Sequence, residues 1–363
     1  MGEPKIKISF LEAARQNMER AEYGTVLMAI KDVQSDAFVV QNANDIPATL
    51  SNFNKEQIKL CLLGNQTAPK KIIVYIMDKD AQDISSEYAS LINYAKTCVY
   101  NILVIPTVKT DNQVDTVVAY IKSEMALDEP HNVMAVLPEV DSPNCENIIN
   151  NYIVGYSQNA VHTATAGEYT PEEYCARIAG LMAGTSFKRS ITNAILSDLS
   201  DCNRMTQVER DTAVDAGKLV AKYDGTQVKI SRGVTSFTTL TDEKGESFKK
   251  IRLVTIMHVL SDSLHNAMEE YKGQITGKYD NKVMLLSLVN RFLQEQVKDD
   301  LIDSGEAELD LEATKAYLQS KGKDISEMTD KQIIESNTGS NFWAIIKCVL
   351  LDTLEDFSFK CYI

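Results

Sequence analysis

The sequence predicts an α/β fold built on a mostly parallel central sheet, followed by an α+β C-terminal domain, with strand-forming segments at both ends. Three observations carry this. Apolar runs such as "KIIVYIMD" and "NVMAVLPE" are nearly unbroken, as strands buried on both faces require. They alternate with amphipathic stretches of helical period, the order that gives a parallel sheet with helices on its faces. Helical periodicity then dominates after a charged, glycine-bearing stretch, "TDEKGESFKK", which marks a candidate domain boundary at Thr241–Lys250.

In order, "TVLMAIKD" (Thr25–Asp32) predicts a strand, and "NKEQIKLCLLG" predicts a helix with Asn54 as N-cap and Gly64 as stop. Strands follow at Lys71–Asp78, Tyr100–Pro106 and Asn132–Glu139, separated by helices at Ser85–Thr97 and Asp111–Ala126. "TPEEYCARIAGLMAG" carries clear start chemistry. Thr170 caps, Pro171 suits the first turn, and Glu173 completes a capping box. Its two glycines read as close packing. A second box, Thr206 to Glu209, opens a helix that continues through "DAGKLV". "KYDGTQVKI" reads as a hairpin turning at Asp224-Gly225. "GVTSFTTL" (Gly233–Leu240) is rich in strand formers. Two helices are expected across "MHVLSDSLHNAMEEY" and "NKVMLLSLVNRFLQEQVKDD". Lys298–Glu335 holds eleven Asp and Glu against five Lys and reads as a solvated helical face. Ser340–Leu351 is a strand. There is no repeat of 20–50 residues.

Composition excludes several classes. A net charge of −14 argues against direct nucleic-acid binding, because phosphates favour basic surfaces. No apolar run approaches the roughly 20 residues of a membrane span. "MGEPKIKISF" lacks a signal-peptide core, and Ile6 stands where a myristoylation signal has Ser or Thr. The seven cysteines are scattered and never form CxxC, so free thiols are expected rather than a disulfide framework. The four histidines form no HxxxH or HExxH spacing, and no metal or other cofactor is expected.

No catalytic residues are expected either. "AGTSFKRS" contains the Gly-Thr-Ser of subtilisin-type nucleophile segments, and His162 lies upstream. A nucleophile at Ser186 would need an activating His and an orienting Asp. Yet Thr163 follows His162 where that pattern has Gly, and Ser186 follows a helix instead of opening one. Gly184 therefore reads as a helix stop. No GxGxxG or P-loop follows any strand, so no phosphate cradle is expected. Acid pairs such as those in "KDD" and "LED" read as surface charges.

Both ends alternate in strand fashion. Ile6, Ile8 and Phe10 share one face near the start; Phe357, Phe359, Cys361 and Ile363 share one face at the end. A free strand carries unpaired backbone groups. It either folds back on its own domain or adds to the sheet of a neighbour. Head-to-tail exchange between successive neighbours builds a ring or an open helix.

Four segments carry a family resemblance: "YCARIAGLMAGTSFKRSIT", "DAGKLVAKYDGTQVKISRGVTSFTTLTDEKGESFKKIRLV", "YKGQITGKYDNKVMLLSLVNRFL" and "NTGSNFWAIIKCVLLDTLEDFSFKCYI". Together they resemble the sheath proteins of contractile phage tails, especially the short sheaths of myophages and phage-tail-like bacteriocins of Gram-positive bacteria. The resemblance spans roughly residues 25–363. It implies a structural subunit, not an enzyme. Such subunits stack as hexameric rings around an inner tube and contract to drive it through a cell envelope. They are assembled in the bacterial host cytoplasm as part of a virion or tail-like particle. It implies an arm at 1–22, an α/β domain at 23–240 similar to subtilisin without its active site, a tube-facing domain at 241–352 and an arm at 353–363. The implied partners are other copies, the tail tube protein, the baseplate and the tail terminator, without nucleic acid or membrane insertion. The arms map to Ile6–Phe10 and Phe357–Ile363, with Phe342–Leu351 in the receiving sheet. Lys249, Lys250 and Arg252 are the expected tube contacts. A type VI secretion sheath and an α/β enzyme are the alternatives.

Overall fold

A computed structural model of the chain describes residues 18–33, 37–127, 129 and 131–362. It divides into two compact units. One comprises residues 21–262 with 351–362; the other comprises 263–350 with 18–20. The charged stretch Thr241–Lys250 lies inside the first.

The first unit begins with alternating strands and helices: β1 (Thr25–Asp32), β2 (Phe38–Val40), α1 (Asn52–Leu62), β3 (Lys71–Asp78), α2 (Ile84–Ala95), β4 (Ile102–Val104), α3 (Val114–Met125), β5 (Met134–Pro138) and β6 (Ile148–Asn151). Two-residue strands β7 (Gly155–Tyr156) and β8 (Glu168–Tyr169) lead to α4 (Pro171–Ala183). Then come β9 (Asp201–Cys202), α5 (Gln207–Asp215), β10 (Lys218–Leu219), β11 (Ala221–Tyr223) and β12 (Val228–Ile230). The seven-stranded sheet has the order β10-β6-β5-β4-β1-β3-β2. Every pairing in it is parallel except β2 with β3 at one edge.

The apolar runs are continuous because both faces of this sheet are covered. Successive side chains of a strand point to opposite faces. In β1, Val26, Met28 and Ile30 join one core cluster with α1 and α4; Leu27 and Ala29 join another with Tyr88 and Leu91 of α2 and Val117 and Ile121 of α3. The capping boxes form as the sequence predicts. Glu173 N–H donates to Thr170 Oγ1 at 3.3 Å, and Thr170 N–H donates to Glu173 Oε2 at 2.9 Å. Thr206 and Glu209 repeat the pattern. Helix α1 instead starts three residues early, capped by Ser51 Oγ, which accepts from Asn54 N–H.

The glycines of α4 are required by close approach. A Cβ on Gly180 would lie 1.9 Å from the Cys61 carbonyl oxygen, and one on Gly184 would lie 2.0 Å from that of Thr67. Strands β11 and β12 form the expected hairpin. Asp224 Oδ1 accepts from the Thr226 and Gln227 amides, and Gly225 takes φ +102°. Two expectations change. The Thr206 helix ends at Asp215, and Lys218–Leu219 joins the sheet beside β6. Gly233–Leu240 forms no ladder. Its amides bond singly to loop and strand ends, as Ser236 N–H does to Ile148 O at 2.8 Å.

Helix α6 (Ile251–Tyr271) crosses the boundary between the units. The second unit continues with α7 (Tyr279–Lys298), β13 (Ile302–Leu309), α8 (Leu311–Ser320), α9 (Asp330–Ile334) and β14 (Ala344–Leu350). The acidic stretch is thus not one helical face. Its first part, "IDSGEAEL", is a strand antiparallel to β14, with Ile302 and Ala307 buried and Asp303, Glu306 and Glu308 outward.

Candidate assembly surfaces

The crevice at the carboxyl ends of the parallel strands is where α/β proteins hold ligands, beside the point where strand order reverses. Here that point lies between β1 and β4, and it is filled. Lys31 at the end of β1 pairs with the buried carboxylate of Asp111, which also accepts from Tyr88 Oη and Thr107 Oγ1, each at 2.9 Å. Burial, reinforced by Asp111, pushes the Tyr88 hydroxyl far above its ordinary pKa. Across the loop, Glu172 accepts from the Thr110 amide at 2.9 Å and its hydroxyl at 2.7 Å. The crevice is knitted shut by the chain's own groups.

The Gly-Thr-Ser segment is equally committed to structure. Thr185 Oγ1 donates to Leu181 O at 2.6 Å and accepts from Asn65 Nδ2 at 2.8 Å. Ser186 and His162 line separate depressions. The acid beside the His162 depression, Asp198, is held by Arg177 Nε at 2.8 Å and Tyr174 Oη at 2.7 Å. Among the described residues no group of three or more His, Cys, Asp or Glu could hold a metal.

Two surfaces remain unsatisfied among the described residues, a sheet edge and a tail. Strand β13 has its outer edge covered by α7. Asn290 Nδ2 donates to Ala307 O at 2.9 Å, Asn290 Oδ1 accepts from Ala307 N–H at 2.7 Å, and Gln294 reaches Gly305 O at 3.4 Å. Since Ala307 turns its backbone groups to α7, the opposed Ile346 turns its own away from β13, and so do Ala344 and Cys348 by alternation. The outer edge of β14 is therefore open among the described residues. Its exposed side chains include Ile345 and Val349.

Past β14 the chain forms no strand among the described residues. Phe357 is 68% exposed, Phe359 84% and Tyr362 92%, and Cys361 is exposed. Ile6, Ile8, Phe10 and Ile363 lie outside the described residues. The three cations singled out in sequence are placed as follows. Lys249 meets Glu246 at 3.1 Å. Lys250 pairs with Asp352 and with Glu355. Arg252 is buried and donates to the carbonyls of Phe187, at 2.7 Å, and Leu351. The acid pair Glu355-Asp356 is not uniformly a surface pair: Asp356 is exposed, but the Glu355 side chain is buried against cations.

A tail sheath protein of Clostridium phage phiCD119 is 33% identical to this chain over 364 residues, covering 98% of each. The chain belongs to the tail sheath protein family. It is a structural protein and not an enzyme. No family model matches the sequence. Solved sheath proteins share the fold. The sheath tail protein of Listeria innocua superposes with a TM-score of 0.66 at 14% identity, over 93% of this chain and 97% of its own. The helical sheath of the anti-feeding prophage in its contracted state gives 0.70 at 11% identity, over 100% and 99%. The mixed α/β architecture with a mostly parallel central sheet is thus a sheath fold.

Proposed function

We propose that this sheath protein polymerises as stacked hexameric rings around an inner tail tube and contracts to drive the tube through a target cell envelope. The observation that carries the reading is the pairing of opposites on one chain. Among the described residues, strand β14 offers an open edge, and the aromatic tail beyond it is exposed and pairs with no strand. A two-stranded ribbon is marginal alone and gains from further strands. An exposed strand-former with alternating Phe357, Phe359 and Cys361 is the matching donor. The tail of one copy, and the arm at residues 6–10 of another, add to the sheet of a neighbour and keep the polymer connected while its subunits rotate as rigid bodies.

Other sheaths support the setting: the anti-feeding prophage sheath in a contracted helical polymer, and a chain of the same fold in that particle's baseplate. The remaining partners are the tube protein, the baseplate and the terminator, met in the host cytoplasm during assembly of a virion or tail-like particle. The α/β domain serves as a subtilisin-like scaffold without its active site. The tube faces residues 241–352, with Lys249 as a contact; Lys250 is paired with Asp352 and Glu355, and Arg252 is buried on the Phe187 and Leu351 carbonyls.

The test removes Phe357–Ile363. We expect folded subunits, with a native circular dichroism spectrum, that form no tubes in negative-stain images and elute as small species. Normal tubes from the shortened chain would refute strand donation.

A further inference from the structure

Between β14 and the exposed aromatic end lies Leu351–Asp356, and this stretch is held. Lys250 pairs with Asp352 and reaches Glu355 at 3.2 Å. Arg232 meets Glu355 at 3.6 Å and Asp356 at 2.6 Å. Thr192 Oγ1 donates to Glu355 Oε1 at 2.7 Å, and Arg252 donates to Leu351 O. Hydrophobic burial does not explain the docking, because Leu354 in the middle of the stretch is 85% exposed. The attachment is electrostatic. Its parts are unequal. Asp356 is 82% exposed, and ion pairs of that kind contribute little. The Glu355 side chain is 6% exposed and shared between two cations and a hydroxyl, which makes it the centre of the arrangement. Burial pulls the Lys250 ammonium pKa down, yet Asp352 and Glu355 reverse this and leave it above its ordinary value. Residues 353–356 of the stretch, with Phe357, line an open groove of about 1470 Å³.

We propose that Asp352, Glu355 and Asp356 form an ion-pair clamp that fixes where the strand donor leaves its own subunit, so that Arg232, Lys250 and Thr192 are positioning residues for joining one copy to the next. This rests on the strand-donation reading above. The clamp leaves seven residues, 357–363, to span and pair, a reach of about 23 Å at full extension. Released, all thirteen residues from Leu351 would be free, with a reach of about 43 Å. Effective concentration at a matched acceptor falls roughly as the −3/2 power of tether length, so release costs about 2.5-fold at each joint. The clamp also passes any pull on the donor into the unit of residues 21–262, which supplies Arg232, Lys250 and Thr192.

The test uses the full chain with a neutral tail, Asp352→Asn, Glu355→Gln and Asp356→Asn together, leaving Phe357–Ile363 intact. Three readouts are needed: the melting midpoint, amide hydrogen exchange of 351–356 in unassembled protein, and the critical concentration for sedimentable tubes. We expect an unchanged midpoint, faster exchange confined to 351–356, and a critical concentration raised about 2.5-fold or more. An unchanged critical concentration, or unchanged exchange, overturns the clamp. So does loss of the folded state, because the clamp is assigned to holding 351–356 and its neutralisation must leave the rest of the unit folded. A chain ending at Asp356 separates the two readings. If it forms tubes like the parent, strand donation fails, while exchange in the neutral-tail protein still decides whether the clamp exists.

Discussion

His258 shows how one buried group ties stability to pH. It sits on α6 with Nε2 3.1 Å from Asn147 Oδ1, while Nδ1 has no partner. Burial lowers its pKa to about 4. The folded state therefore keeps the ring neutral where the unfolded chain, with an ordinary value near 6.5, takes up a proton. Stability is undiminished above about pH 6.5, declines as pH falls towards 4, and loses nothing further from this group below that. The total is on the order of 3 kcal/mol. His258→Gln should flatten that part of the stability–pH curve relative to the parent, measured by urea unfolding at pH 7 and pH 4.5. Parallel curves would show that His258 does not titrate this way. The Gly-Thr-Ser at 184–186 is also decided at this scale. The motif is visible in the sequence, but its cause, a glycine pressed against the Thr67 carbonyl, is a contact across more than a hundred residues.

At the scale of elements, the sequence is most informative where one signal dominates. Strands β1 and β3 are legible to the residue because burial on both faces leaves no polar interruption. Helix α4 is legible from its capping box and from its glycines, and the structure supplies their reason: α4 lies directly on the end of α1. Gly180→Ala should push a methyl group into the Cys61 carbonyl and destabilise the first unit by about 1–3 kcal/mol, read from the urea midpoint. A neutral outcome would mean that α1 and α4 separate at little cost. Strand β13 is illegible because only two of its eight residues are buried, and three carboxylates hide the alternation. The edge strand β10 is too short for any period to register, and the strand formers of Gly233–Leu240 find no partner strand. The clamp is hidden for another reason. Arg232 and Lys250 stand about a hundred residues from Asp352 and Glu355, and nothing local marks Glu355 as the buried acid of "LED".

At the scale of the whole molecule, the unspent interactions of the described residues include one sheet edge and one tail. The ligand crevice of the parallel sheet is closed by Lys31 and Asp111, and the outer edge of β13 is covered by Asn290 and Gln294. Among the described residues, what stays open is the edge of β14 and the segment 357–362. In the sequence, the proposed acceptor and donor thus lie on either side of the six residues Leu351–Asp356.

The open edge of β14 survives removal of the tail, and this gives the shortened chain a valence of its own. On the strand-donation proposal, a subunit without Phe357–Ile363 would still accept a strand but return none from its C-terminal end, and would act there as a chain terminator in the sense of polymer chemistry. Mixed into the parent at about one part in twenty, it should shorten tubes while scarcely lowering the mass of protein folded, a length distribution that electron micrographs record directly. Tubes of unaltered length would mean that the exposed tail is not what carries growth from one copy to the next.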